Sequence, residues 1–303
     1  MPALGSLPLA RTEFDRDGDA RLKEDFLGET LRDPETRLLF VADRQLLIDD
    51  GRLVFRGIDD LPEEFLAAAY LGRIVTDGGQ LEPGTRVVAV VLAEPSPRER
   101  GDWRTLRDAA VLLDDLEGGL AVEAVAVAGW HSSATRCTRC GDTTSIEHAG
   151  WMRKCVSCGT ELFPRTDPAV IVLITDEDDE RILLGSNAMW PEGRYSLFAG
   201  FVEAGESLEA AVEREVFEEA GVRVVDPVYL GSQPWPFPQS LMLGFSARLA
   251  PGQDAADTRP DGEEILDVRW FTRDEIAEPG DDVQLPGTSS IAHAIIQNWR
   301  DGR

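Results

Sequence analysis

One helix-sized stretch constrains this chain more than any other. Residues Gly200–Val222 read GFVEAGESLEAAVEREVFEEAGV. Glu215, Glu218 and Glu219 stand at i, i+3 and i+4, a spacing that lines them along one side of a helix. With Leu208 as origin and about 100° per residue, Val212 falls at about 40° and Val216 at about 80°. Glu219 falls at about 20° and Glu215 at about 340°, in or beside that apolar stripe, while Glu218 sits at its edge at about 280° beside Arg214. Carboxylates on a side meant for burial are costly unless positive charge meets them. The helix itself offers only Arg214, and a divalent cation would supply the rest. Ser207 is the expected N-cap and Gly221 the expected left-handed stop. Gly200 and Gly205 bracket a loop ending in Glu206, which brings another acidic group to the same place. Phe217 falls at about 180°, on the solvent side, and is expected to pack on the N-terminal segment or on a second copy of the chain.

The four cysteines form a second pattern. Cys137 and Cys140 make one CxxC knuckle, and Cys155 and Cys158 make another after fourteen intervening residues. That separation fits a tetrahedral four-cysteine zinc ribbon, closed and therefore structural. A redox disulfide pair is the alternative, but no βαβ context surrounds either knuckle. Gly141 and Gly159 are expected to let backbone N–H groups turn toward the sulfurs. His131 and His148 are read as surface histidines, because four thiolates already fill the shell.

At 303 residues with a net charge of −26, the chain is too acidic to coat DNA or RNA, which needs a basic surface. A single nucleotide in a pocket is still compatible. No apolar run is long enough to span a bilayer, and neither terminus carries a recognisable address, so a cytoplasmic location with reduced thiols is expected. Residues 36–48 and 51–58 read as strands paired around Asp49-Asp50-Gly51. A short helix is predicted from Leu61 to Leu71, a buried strand over 85–95, and helices over 103–116 and 120–131. Beyond the cysteines, 169–175, 181–186, 228–233, 240–249 and 265–272 read as strands, and Ser289–Arg300 as a final amphipathic helix. This ordering predicts an α/β (α+β) chain in three segments. They are an N-terminal α/β scaffold or dimerisation domain (1–131), a zinc ribbon (132–163), and an α/β/α sandwich with a mixed sheet (164–303).

Gly200, Glu206, Arg214, Glu215, Val216, Glu218, Glu219, Gly221 and Val222 together match the Nudix box at every spacing. Residues Ser232–Ser240, SQPWPFPQS, resemble the signature of NADH pyrophosphatases within the Nudix superfamily, and a four-cysteine ribbon directly before the domain is also that family's arrangement. The resemblance implies Mg2+ or Mn2+ held by Glu215, Glu218, Glu219 and Glu264, with Glu263 as the alternative to Glu264. It implies catalytic roles for those box glutamates, with Arg214 orienting a carboxylate and Glu206 holding Arg214. A plain salt bridge between loop and helix is the other account of that last pair. The implied substrate-binding residues are Phe163, Ala199, Phe201, Gln233, Pro234, Trp235, Pro236, Phe237, Pro238, Gln239, Ser240, Ala292 and Arg107. Aromatic faces suit nucleobases, each stack being worth about 1–3 kcal/mol, and flanking prolines stiffen the loop.

The activity so implied is hydrolysis of the diphosphate of NAD(H) to NMN(H) and AMP, with removal of NAD caps from RNA 5′ ends. The implied assembly is a homodimer; that neither DNA nor membrane is a partner is expected from the acidic charge and the lack of a long apolar run. One alternative is a Nudix pyrophosphatase acting on ADP-ribose or dinucleoside polyphosphates. An alternative of another class is a non-catalytic nucleotide- or RNA-binding zinc-ribbon protein, which would predict a damaged acidic box.

Overall fold

The computed structural model describes the chain apart from residues 1–3, 5–6, 8, 11–12, 78, 97–99 and 303. The sequence readings at both termini fall partly on positions outside the described residues. Among the described residues, no helix is long and apolar enough to cross a membrane. The chain groups into two compact units. One comprises Pro8–Thr166 with Pro236–Gln239; the other comprises Met1–Leu7, Asp167–Trp235 and Ser240–Arg303.

The first unit is built on eight strands: β1 (Phe14–Asp15), β2 (Arg37–Ala42), β3 (Gln45–Asp49), β4 (Arg52–Leu53), β5 (Phe55–Arg56), β6 (Ala67–Ile74), β7 (Arg86–Leu92) and β8 (Asp102–Thr105). They run in the order β1-β6-β7-β2-β3-β4, with β5 on β2 and β8 on β3. Three expectations fail here, each for a physical reason. The segment 36–48 is two strands, because the chain already reverses at Asp43 and Arg44, with φ of 45° and 58°. Positive φ at both central residues matches the twist of a two-residue hairpin. The helix predicted from Leu61 to Leu71 is replaced by β6, whose Ala67–Leu71 are all buried in the sheet. Alanine's helical preference is weak beside that burial. The helices predicted over 103–116 and 120–131 become β8, a short helix at Leu106–Ala109 and one long helix at Asp115–Ser133.

That long helix is buried on nearly every side, so it shows no amphipathic period to read. It buries two glutamates: Glu117 is met on both oxygens, whereas Glu123 meets arginine through Oε1 alone and its buried Oε2 has no hydrogen-bond partner. Glu117 accepts from Arg52 Nε at 2.9 Å, Leu53 N at 3.0 Å and Gln80 Nε2 at 2.7 Å. Glu123 lies within 3.3 Å of Arg21 and 3.4 Å of Arg16.

The cysteines belong to a three-stranded antiparallel ribbon, β9 (Thr144–Glu147), β10 (Met152–Cys155) and β11 (Glu161–Leu162), in the order β11-β10-β9. The ribbon is packed into the same unit as the eight-stranded sheet. Trp151 Nε1 donates to Tyr70 O at 2.7 Å, and a Cβ on Gly150 would lie 2.4 Å from Ala68 O. His131 corrects the surface assignment, because it is 2% exposed. Its Nε2 bonds Gly150 O at 2.8 Å, and its Nδ1 bonds Arg153 Nη1 at 2.9 Å. Arginine can only donate, so Nδ1 accepts and Nε2 carries the proton. Burial holds His131 down at about 4, Arg153 adds repulsion, and the bond to Gly150 offsets part of the effect. His148 is exposed, as expected.

The second unit is a six-stranded mixed sheet: β12 (Asp167–Thr175), β13 (Arg181–Asn187), β14 (Phe198–Phe201), β15 (Val224–Trp235), β16 (Ser240–Leu249) and β17 (Ile265–Thr272). The order is β15-β16-β12-β13-β17, with β14 on β12. β12 runs parallel to β16 and changes partner along its length. Ile174 and Thr175 pair with β13, whereas Ala169–Val172 pair with β14. Alternate residues of β12 enter two cores, as a strand buried on both faces requires. Val170, Val172 and Ile174 meet Ala211, Val212, Val216 and Ala220 of the helix Leu208–Ala220. Ile171 and Leu173 meet Ile291, Ile295 and Trp299 of the helix Ile291–Arg300. The second unit is therefore the expected α/β/α sandwich. Leu4 and Leu7 also belong to this unit: Leu4 N donates to Leu230 O at 2.8 Å, and Leu7 is buried in the core.

Candidate active site

The helix Leu208–Ala220 has the limits expected from its ends. Ser207 Oγ accepts from Ala210 N at 3.2 Å, and Gly221 takes φ of 70°. Its burial also follows the 3.6-residue period. Glu219 is 5% exposed; the side chains of Glu215 and Glu218 are 13% and 57% exposed. A cleft of about 380 Å3 opens beside the helix, lined by Glu203, Arg214, Glu215, Glu219, Glu264 and Ser240 together with Ala199, Phe201 and Met242.

Arg214 organises the acidic groups around it. Its Nε and Nη2 donate to the two oxygens of Glu206, both at 2.8 Å. Nη1 donates to Glu215 Oε1 at 2.8 Å and to Glu218 Oε2 at 3.0 Å, and Nη2 donates to Phe201 O at 2.9 Å. The fork-to-fork pairing with Glu206 fixes the guanidinium plane. The same guanidinium therefore ties loop to helix and aims two of the box glutamates. Bonding to Arg214, then to the Glu203 amide, pulls Glu206 down to about 2.

Gly200 is needed for a steric reason. A Cβ there would stand 1.9 Å from Glu215 Cδ. Glu215 thus lies against bare backbone, and burial raises its carboxyl despite Arg214. Glu219 is pushed up to about 8 by burial first, then by Glu264, Glu215 and Asp261, with the Ala199 amide pulling the other way. Its Oε2 is buried with no hydrogen-bond partner, an arrangement that normally carries a penalty of about 1–3 kcal/mol. The donors here are carboxylate oxygens gathered in one cleft, one of them buried and unsatisfied. That set suits a hard divalent cation.

Glu264 lines the cleft and Glu263 does not. Sequence reasoning missed the residue that sets this choice. Asp261 Oδ1 accepts from the amides of Glu263, Glu264 and Ile265 at 3.0, 3.1 and 2.8 Å, which fixes the turn from which Glu264 projects. The Asp261-Gly262 pair is a turn signal that could have found it. Glu203, also missed, lines the cleft, and its amide donates to Glu206 Oε2 at 3.0 Å.

The expected substrate-binding residues divide. Ala199, Phe201 and Ser240 line the cleft. Gln233 does not. It is fully buried, its Nε2 donating to Ser289 O at 2.9 Å and its Oε1 accepting from Ile291 N at 2.7 Å. Its amide is consumed tying β15 to the start of the last helix. Ala292 is likewise 1% exposed in the core, and its amide is taken by Ser290 Oγ at 3.1 Å. Pro234 and Trp235 are half-buried at the end of β15. Pro236–Gln239 belong to the first unit, where the Arg107 guanidinium stands 4.5 Å from the Phe237 ring centre. Phe163, also in the first unit, is 55% exposed. Phe217 is 50% exposed, and Arg223 covers its ring at 5.6 Å.

The four cysteines make a tighter cluster, their Sγ atoms lying within 4.8 Å of one another. Amides of Arg139 and Cys158 donate to sulfur at 3.4 and 3.5 Å. The glycines give each knuckle its turn. Gly141 and Gly159 take φ of 78° and 70°, and their amides close the knuckles onto the carbonyls of Cys137 and Cys155. Four converging sulfurs are a soft donor set suited to zinc.

Residues 165–288 match the model of the NUDIX domain. The NAD-capped RNA hydrolase NudC of Mycobacterium bovis is 40% identical over 313 residues, spanning 98% of this chain and 96% of that protein. The chain belongs to the NADH pyrophosphatase family of Nudix hydrolases. The human NAD-capped RNA hydrolase NUDT12 is 36% identical over 204 residues, covering 63% of this chain and 43% of that protein. The cleft and its glutamates all lie within the span of the NUDIX domain.

Proposed function

We propose that this Nudix hydrolase cleaves the diphosphate of NAD(H), releasing NMN(H) and AMP, and removes NAD from the 5′ ends of RNA. The observation that carries the reading is the cleft at Glu219, where a buried carboxylate oxygen without a partner stands among Glu215, Glu264 and Arg214. The NudC relative, similar over nearly the whole chain, is named for NAD-capped RNA.

In this reading Glu215, Glu219 and Glu264 hold Mg2+ or Mn2+, with Glu218 at the outer edge. Bound there, such a cation would supply charge neutralisation for the diphosphate and a lower pKa for an attacking water. The chain's own residues do the positioning. Arg214 keeps Glu215 turned toward the cleft and holds Glu218, which does not line it, beside the guanidinium; Glu206 keeps Arg214 in plane, and Gly200 leaves room for the Glu215 carboxylate. Asp261 holds the turn that presents Glu264. Ser240 lines the cleft, and the signature residues end at that same position. A base recognised by Trp235, Phe237 or their neighbours is therefore recognised by residues next in the chain to the cleft wall. Zn2+ on the four cysteines is structural.

The acidic surface limits contact with long RNA, so recognition concentrates on the cap and a few nucleotides. The reading includes a homodimer, supported by the family resemblance, and a cytoplasmic location with neither DNA nor membrane as partner, supported by the acidic charge and the lack of a long apolar run. The test is product analysis with NADH and with NAD-capped RNA in Mg2+ or Mn2+. NMNH and AMP in equal amounts, and NMN with 5′-monophosphate RNA, are expected. Cleavage of ADP-ribose or dinucleoside polyphosphates with NADH untouched would overturn the reading.

A further inference from the structure

Residues Pro236–Gln239 lie between β15 and β16 in sequence but group with the first unit. Within that unit one side chain holds their backbone from below. Arg44 Nη1 donates to Pro238 O at 3.1 Å and to Pro236 O at 3.3 Å. These two carbonyls flank Phe237, whose ring is met by the Arg107 guanidinium at 4.5 Å. Two arginines from separate elements thus grip three consecutive residues, one by the backbone and one by the ring.

The approach of Arg44 is built into its surroundings. It sits in the tight turn between β2 and β3 with φ of 58°, directly after Asp43 at 45°, so its direction is set by a two-residue reversal. The guanidinium then crosses the long helix at Gly129. A Cβ there would lie 3.0 Å from both Cζ and Nη2 of Arg44, so a larger residue would displace it. Glycine in a helix interior is unfavourable by about 1 kcal/mol relative to alanine, and this passage gives that glycine a purpose.

We infer that Arg44 is a positioning residue for base recognition: it pre-orders the backbone on both sides of Phe237, so that a substrate base docks on a fixed tip. The inference rests on the proposed NAD(H) activity for its kinetic consequence, and on geometry alone for the ordering of the tip. Ordering a loop before binding lowers the entropy lost when ligand docks, so it acts on affinity and leaves the chemical step alone. Arginine suits the task because Nη1 carries two N–H donors in a fixed plane, one for each carbonyl; a lysine ammonium would have to meet both from a single flexible point.

The experiment compares the wild-type chain with Arg44→Ala, Arg44→Lys and Gly129→Ala. Hydrogen exchange of the Phe237, Gln239 and Ser240 amides is measured without substrate, and kinetics are measured with NADH. Arg44→Ala is expected to speed exchange at these amides and to raise KM about tenfold, with kcat within about threefold of wild type. Gly129→Ala keeps the charge but pushes it aside, and should show the same pattern more weakly, as should Arg44→Lys. Unchanged exchange in a folded Arg44→Ala overturns the inference, whatever the substrate proves to be. A fall in kcat with KM unchanged overturns it as well. Failure of the wild-type chain to cleave NADH would sink the proposed function, and the exchange data would still decide the role of Arg44.

Discussion

The cysteine ribbon and the glutamate cleft are both sets of four candidate ligands, and they are assembled in opposite ways. The ribbon's sulfurs converge within 4.8 Å inside one short antiparallel motif, and each knuckle is closed by its own glycine. The cleft draws on the loop before a helix, the helix itself, and a turn some forty-five residues further on, around Glu264. Its carboxylates are kept in place by other residues: Arg214, the bare backbone at Gly200, and Asp261. A closed set of soft ligands suits a structural ion. Carboxylates lining an open cleft leave room for substrate and suit chemistry. The difference predicts that damage to the ribbon appears as lost stability and damage to the cleft as lost turnover.

The largest effect should come from the ribbon. Because Trp151 and Gly150 lock it onto the eight-stranded sheet, Cys155→Ser or zinc chelation should unfold the whole first unit cooperatively. Calorimetry on protein treated with a zinc chelator should show that unit's transition lost or shifted down by ten degrees or more, on the order of several kcal/mol. An unchanged thermogram would mean that the ribbon does not carry the unit.

Gly200→Ala should be next. The added methyl collides with the end of the flexible Glu215 side chain, not with backbone, so the fold survives while the carboxylate moves. A fall in kcat on the order of 10- to 100-fold, with Tm changed by only a few degrees, is expected. Unimpaired turnover would show that Glu215 need not sit where it does.

A smaller effect separates the two regions by pH. His131 titrates at about 4 in the fold, below its ordinary 6.5. Between those values the unfolded chain holds a proton that the folded chain lacks. Its contribution is therefore complete above about 6.5 and is lost as pH falls toward 4, by about 3 kcal/mol in all. Chemical denaturation from pH 4 to 7 should show this slope, and His131→Gln should reduce it by roughly one proton; an identical slope would remove His131 from the account.

How much of this was legible in the sequence follows from the same contrast. The ribbon and the helix Leu208–Ala220 were readable because local spacing sets them: CxxC in one case, caps and a 3.6-residue period in the other. The bonding of Gln233 and Ala292 was not legible: Gln233 spends its side-chain amide on Ser289 and Ile291 more than fifty residues away, and the Ala292 amide is taken by the helix cap at Ser290. Asp261 was missed because it bonds only backbone, and Arg44 because its partners lie almost two hundred residues away. The first unit was read worst. Its long helix is buried all round and its alanine-rich β6 resembles a helix, so neither shows the periodicity that reveals an element.

The central claim is that the cleft around Glu219 performs the chemistry. It is tested most directly by NADH turnover of Glu219→Gln at saturating Mg2+ or Mn2+, with the melting curve recorded on the same sample. An amide in place of a buried carboxyl should leave Tm equal or higher, while kcat falls on the order of 100-fold or more. A folded Glu219→Gln chain that turns over NADH at nearly the wild-type rate would contradict the account.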